Sequence, residues 1–297
     1  MSTTVHFTSN GIMIAALFFS PKDPKSERAP AIVVSHPGGG VKEQTASIYA
    51  QRLANNGFAA LAFHAAYQGE SDGEPRGLED PAQRVEDIKC AVSYLTTRKD
   101  VDPERIGALG ICASGAYVHF AAQTDVRIKA VGTVSAFDMG DMLRNGMDGK
   151  QTKEALQQML AYSTVMRTAE ANGAEPAYNP IVPPSREQGG EGYDYYLTPR
   201  GQHPRFTNQQ LVRSIDRIVQ FDAFRFMSWI APRPVLMIAG TNAFSKGYSE
   251  QAIELAEGQK ELFYIEGATH MSMYDQEEHV GPAVKKLVGF YTEALKA

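Results

Sequence analysis

From Ala31 onward the chain alternates short, continuously apolar runs with stretches of helical periodicity. Ala31–Ser35, Phe58–Phe63, Arg105–Ile111, Ile128–Ser135, Pro234–Ala239 and Glu261–Ile265 read as strands. Gln44–Asn56, Pro81–Thr97, Gly115–Gln123, Glu250–Gly258 and Pro282–Lys296 read as helices. Strands this short and this apolar are buried on both faces, as in a parallel sheet between two helix layers. Residues 4–20 add a hairpin that turns at Ser9-Asn10-Gly11. The pattern predicts an α/β class fold: a mostly parallel sheet of about eight strands with helices on both faces.

Residues 138–222 break this rhythm. They hold helix-like stretches, Lys153–Asn172 and Asn208–Val219, around a Pro/Gly/Tyr-rich loop, Pro176–Arg205. Because the interruption falls between two core strands, it is expected to be a helical cap over the carboxyl edge of the sheet, where open α/β sheets bind ligands. The 297 residues read as one domain, 1–297, with 138–222 as its cap.

Charge and cysteine usage exclude several classes. The net charge is −5 and no basic stripe occurs, so a nucleic-acid partner is not expected. No apolar run approaches the roughly 18 residues of a membrane span, and Met1–His6 lacks a leader pattern, so the expected location is cytoplasmic. Two cysteines make neither a disulfide framework nor a four-cysteine zinc site. No metal or organic cofactor is expected. Cys90 lies in a segment of helical periodicity and reads as a core residue.

Cys112 differs. In Arg105-Ile-Gly-Ala-Leu-Gly110-Ile-Cys112-Ala-Ser114-Gly115 a strand runs directly into a helix. A tight turn there strains its apex residue and needs small neighbours two before and two after it. Gly110 and Ser114 frame Cys112 in that way. The apex projects over a helix N-terminus, which is expected to favour thiolate. A frame with Ser114 at the apex, and a purely structural turn, remain as alternatives.

This segment resembles the elbow of the α/β-hydrolase superfamily, and within it the dienelactone hydrolase branch, whose elbow carries cysteine. It is also similar to the fungal polyketide-transferase and thiohydrolase group. The resemblance extends over Ser35–Gln44, Ala62–Arg76, the elbow, Pro234–Gly240 and Glu266–Asp275. It implies an eight-stranded α/β-hydrolase sheet and a nucleophile–acid–histidine triad.

His270, in the loop after the last strand, stands where such a fold presents its base. The third member is less plain. The loop after Pro234–Ala239, where relatives place an aspartate, reads Gly240-Thr-Asn242-Ala-Phe244-Ser245 and holds no carboxylate. Asp138 ends the preceding core strand and fits the chain order Cys112…Asp138…His270, so it is the expected acid, ahead of Asn242 and Glu250. Its competing reading is a helix N-cap. His36-Pro37-Gly38-Gly39-Gly40 follows the first core strand, and the resemblance implies an oxyanion hole from Gly38 or Gly39 with Ala113. His36, Tyr67 and Tyr195 are candidate pocket residues. His64 reads equally as pocket lining or turn, and His6, His119, His203 and His279 as structural or solvated.

Together these residues predict an enzyme acting on a small-molecule ester, lactone or thioester, with Cys112 as nucleophile and an acyl-enzyme intermediate. Acyl transfer to a second substrate, and a ligand-binding protein on the same scaffold, stay open. So does a homodimer.

Overall fold

The computed structural model describes residues 2–22, 27–147 and 149–296. The ends of the expected 1–297 unit, Met1 and Ala297, lie outside them. Strands β1 (Ser2–Ser9) and β2 (Ile12–Phe19) form the N-terminal hairpin. The alternating core follows: β3 (Ala29–Ser35), α1 (Thr45–Asn55), β4 (Ala59–Phe63), α2 (Pro81–Thr96), β5 (Val101–Ile111), α3 (Ser114–Thr124) and β6 (Ile128–Val134). Between β6 and the next core strand come α4 (Met139–Asn145), α5 (Lys153–Ala171), β7 (Tyr178–Asn179), α6 (Arg186–Tyr196), β8 (Gln210–Leu211) and α7 (Ser214–Val219). The core resumes with β9 (Val235–Gly240), α8 (Lys246–Leu255), β10 (Lys260–Ile265), α9 (Ser272–Asp275) and α10 (Glu277–Ala294).

One eight-stranded sheet runs β1-β2-β4-β3-β5-β6-β9-β10. Its pairs are parallel from β4 to β10, and the hairpin joins antiparallel through β2. The expected mostly parallel sheet with two helix layers, an α/β-hydrolase-like fold, is therefore present. Alternate residues of each core strand enter two separate cores. Ala31 and Val33 pack on one side with Ile106 and Ala108; Ile32 and Val34 pack on the other with Leu109 and Ile111. Both faces are buried, which is why these strands carry no polar alternation. Among the described residues, no helix is long and apolar enough to cross a membrane.

The structure departs from the sequence reading in several places. Within the expected loop Pro176–Arg205 lies α6, interrupted at Gly190 by a non-helical φ of 50°. The expected helix Asn208–Val219 is instead β8, paired with β7, followed by the short α7. Helix α8 starts at Lys246 and not at Glu250. Helix α10 begins at Glu277, five residues before Pro282, which lies inside it.

Candidate active site

The carboxyl ends of β3, β5, β6, β9 and β10 deliver the site. At the end of β5, Cys112 has φ 57°, in the left-handed region that a residue with a β-carbon seldom adopts. The turn is held by backbone hydrogen bonds from Gly115 N to Cys112 O at 2.8 Å and from Phe137 N to the same oxygen at 3.0 Å. A β-carbon on Gly110 would lie 2.1 Å from Ser114 O, so only glycine fits there. On the far side the close approach is at Gly115, whose added β-carbon would meet that of Ala136 at 2.7 Å, and not at Ser114.

Ser114, the rival apex, is fully buried beneath the turn. Its hydroxyl donates to His36 O at 2.5 Å, lies 2.8 Å from Ser35 Oγ, and accepts from Arg84 Nη2 at 2.7 Å. Arg84, itself buried, also donates to His36 O at 2.6 Å. This guanidinium ties the glycine turn after β3 to the elbow.

The backbone N–H groups of Gly38 and Ala113 and the Tyr274 hydroxyl stand near enough to the Cys112 sulfur to ease its ionisation. These contacts favour thiolate, yet burial dominates and pushes the thiol above its ordinary value. The expected lowering by the helix N-terminus is thus outweighed. Gly38 and Ala113 converge on the thiol, whereas Gly39 does not. With φ 63° it forms the turn, and a β-carbon there would strike Ile181 Cδ1 at 2.2 Å.

His270 sits between β10 and α9. A β-carbon on Gly240 would lie 2.1 Å from Ala268 O, so the glycine at the end of β9 admits the loop that carries His270. Ser135 Oγ donates to His270 O at 3.1 Å. The imidazole is 1% exposed. Its Nδ1 lies 2.6 Å from Ser245 Oγ and its Nε2 3.1 Å from Tyr274 Oη. Phe244 stacks on the ring at 4.6 Å, and Phe137 meets it edge-on at 6.2 Å. With burial unopposed by any anion, the imidazole pKa falls to about 3, so His270 is neutral.

Asp138, the expected acid, is not hydrogen-bonded to His270. Its Oδ1 accepts from Gly140 N at 2.8 Å and Asp141 N at 3.1 Å, making it the N-cap of α4. Burial raises its pKa to about 6. Asn242, the next candidate, donates to Gly267 O at 3.3 Å. The place of a carboxylate at Nδ1 belongs to Ser245. A serine in a loop of small residues carries no distinguishing signal. Tyr274 did carry one, its spacing four residues beyond His270.

Cys112, His270 and Tyr274 face a cavity of about 280 Å³. The wall includes Phe137, Met139, Met142, Ile181, Val182, Tyr196 and Phe244, with Gln210 as a neutral polar group, and none of its side chains carries a charge. Much of it therefore comes from the segment between β6 and β9. His36, Tyr67 and Tyr195 are not in this wall. His36 is fully buried, with Nδ1 2.7 Å from Pro37 O and Nε2 accepting from Ala65 N at 3.0 Å, so it ties the ends of β3 and β4. Tyr67 packs in a turn with φ 69°. Tyr195 stands behind Tyr274, ring to ring at 5.1 Å, and its neighbour Tyr196 takes the expected place on the cavity. A larger groove of about 570 Å³, bounded by Phe263, Pro282, Lys285, Lys286 and Phe290, contains neither the elbow nor His270.

Glu43, His64 and Glu70 bring potential metal-ligand atoms within 4.8 Å of one another. The Lys42 ammonium, 1% exposed, already sits among them. It donates to Glu43 Oε1 at 2.6 Å and to Glu70, and lies 3.3 Å from His64 Nδ1. A cation is thus built into this cluster.

Comparison with known proteins places the chain among relatives of the same fold. Residues 14–140 match the model of the dienelactone hydrolase family. The chain is 40% identical to the uncharacterized protein YcjY of Escherichia coli K12, over 99% of this chain and 100% of that one. Its fold superposes on the crystal structure of the hypothetical protein PA2218 from Pseudomonas aeruginosa with a TM-score of 0.94. That pair is 34% identical and covers 99% of this chain and 94% of the other. The acyltransferase drtE of Aspergillus calidoustus is 25% identical over 91% of this chain and 89% of its own.

Proposed function

Because the chain belongs to the dienelactone hydrolase family of α/β-hydrolases, we propose that it cleaves a small-molecule ester or thioester through an acyl-enzyme on Cys112. One observation carries the reading. The Cys112 sulfur, on a strained elbow at the floor of an apolar cavity, is met by the N–H groups of both Gly38 and Ala113. When sulfur adds to a carbonyl carbon, the oxygen takes up negative charge and needs such donors. Each is worth about 3 kcal/mol in a dry site. His270 accepts the thiol proton and returns it to the leaving group. The charge-free wall favours an uncharged acyl group, since a carboxylate buried there would have no partner.

The test is a series of p-nitrophenyl esters and acyl thioesters of graded length. Cys112→Ala abolishes turnover, and mass spectrometry of the quenched wild type finds the acyl group on the peptide that contains Cys112. A Cys112→Ala enzyme that still turns over, or an acyl group on Ser114, refutes the assignment.

A second reading, transfer of the acyl group to an alcohol or thiol, is favoured by the dryness of the site, where the imidazole is 1% exposed. Similarity to an acyltransferase points the same way. Added alcohol or thiol acceptors would then divert the acyl group from water at millimolar concentration. Release of free acid alone would leave hydrolysis.

A further inference from the structure

The hydrogen bonds of the described residues include none directly between Cys112 and His270. A tyrosine hydroxyl neighbours both. Tyr274 Oη lies 3.1 Å from His270 Nε2, and the same side chain lines the cavity beside Cys112, whose thiol interacts with its hydroxyl. The phenol is fully buried, and its ring is held edge-on by Tyr195 at 5.1 Å and Tyr196 at 6.3 Å. A phenol oxygen can accept one hydrogen bond while donating another. In the tautomer whose Nδ1 proton goes to Ser245 Oγ, the Nε2 lone pair faces the phenol.

The geometry points to Tyr274 as a catalytic residue that carries the proton from Cys112 to His270. As sulfur bonds to the acyl carbon, the S–H proton passes to the phenol oxygen and the phenol's own proton passes to Nε2. The carbonyl electron pair moves onto its oxygen, which Gly38 and Ala113 receive. When the tetrahedral species collapses, the leaving group departs with the proton held at Nε2. Tyr274 ends as it began, a neutral phenol, and the bonds balance without a co-reactant. Burial pushes its pKa well above that of a free phenol, in keeping with a group that is never left ionised. The inference rests on the acyl-enzyme reading.

The experiment is single-turnover acylation by p-nitrophenyl butyrate. Tyr274→Phe keeps the ring packing and removes the hydroxyl. It is expected to slow acylation about 100-fold, as is His270→Ala. The double variant should lose no more than about threefold beyond either single one, because the two act in series. Wild-type acylation is expected to be flat between pH 7 and 9. Both single variants should accelerate about tenfold per pH unit there, as hydroxide replaces the relay. On the unaltered enzyme, acylation rates in mixtures of light and heavy water should follow a bowed curve that requires two protons in flight. A straight line, a Tyr274→Phe rate within threefold of wild type, or losses that multiply in the double variant would each overturn the relay. Acylation that survives Cys112→Ala would instead overturn the reading beneath it.

Discussion

The Ser245 hydroxyl lies 2.6 Å from Nδ1 of His270, and Phe244, one residue earlier, stacks on the same imidazole. Orientation of the base thus rests on one neutral hydrogen bond and one aromatic face. A neutral hydrogen bond contributes about 1 kcal/mol. Ser245→Ala should therefore lower kcat/KM about fivefold. A loss of four orders of magnitude, the scale seen when a triad carboxylate is removed, would show that Ser245 does more than orient.

Asp138 makes the opposite case. As an N-cap it can be replaced by asparagine, which caps equally well. Its buried carboxylate has no counter-ion within hydrogen-bond reach in the described structure, and its pKa stands at about 6. Asp138→Asn should keep kcat/KM within about threefold of wild type and leave Tm at pH 7 unchanged or higher. A deep loss of turnover with an unchanged Tm would return Asp138 to the chemistry.

Acid should destabilise the fold through its buried histidines. Burial lowers His270 to about 3 and His119 to about 4, and depresses His36 and His64 as well. Below pH about 6.5 the unfolded chain binds protons that the native one refuses, so this stability is lost progressively as pH falls toward 3. At pH 5, His270 and His119 each account for a loss of about 2 kcal/mol. Asp138 opposes them, since its native pKa is raised and protonation through pH 6 favours the fold. Calorimetry at pH 7 and pH 5 should show Tm falling by roughly 5–10 °C. A Tm that rises on acidification would contradict the neutral, buried state of these rings.

Gly240 sets the reach of the loop that carries His270. A β-carbon there would lie 2.1 Å from the Ala268 carbonyl oxygen, which also accepts from Asn242 N at 3.0 Å. Backbone cannot yield as a side-chain tip can, so Gly240→Ala should shift the loop that carries His270. We expect kcat to fall about 100-fold with KM little changed. An unchanged kcat would mean that the loop finds another path.

The elements that carry the site were legible where physics leaves few choices. Gly110 must be glycine, and the elbow around Cys112 follows from it; the doubly buried strands β4 and β9 announce themselves by unbroken apolar runs. Helix α6 was hidden because Gly189, Gly190 and Gly192 remove the helical signal, although packing restores the helix. Asp138 was misassigned because chain order says only which residues are eligible. The helix start at Met139 was the more local and stronger constraint. Ser245 had no mark in the sequence, since any small hydroxyl residue in that loop would read the same. Tyr195 and Tyr196 were distinguishable only by which one the backbone turns toward the cavity.

The raised thiol of Cys112 also bears on how the protein ages. Peroxide and alkylating agents consume thiolate far faster than thiol. A sulfur that stays protonated under burial, beside an imidazole too weak to ionise it at rest, offers these reagents little to attack. On the proposed mechanism its nucleophilicity would appear only while a substrate carbonyl fills the cavity. Idle molecules should therefore keep their reactive centre through oxidative episodes that would inactivate an enzyme storing its cysteine as an ion pair.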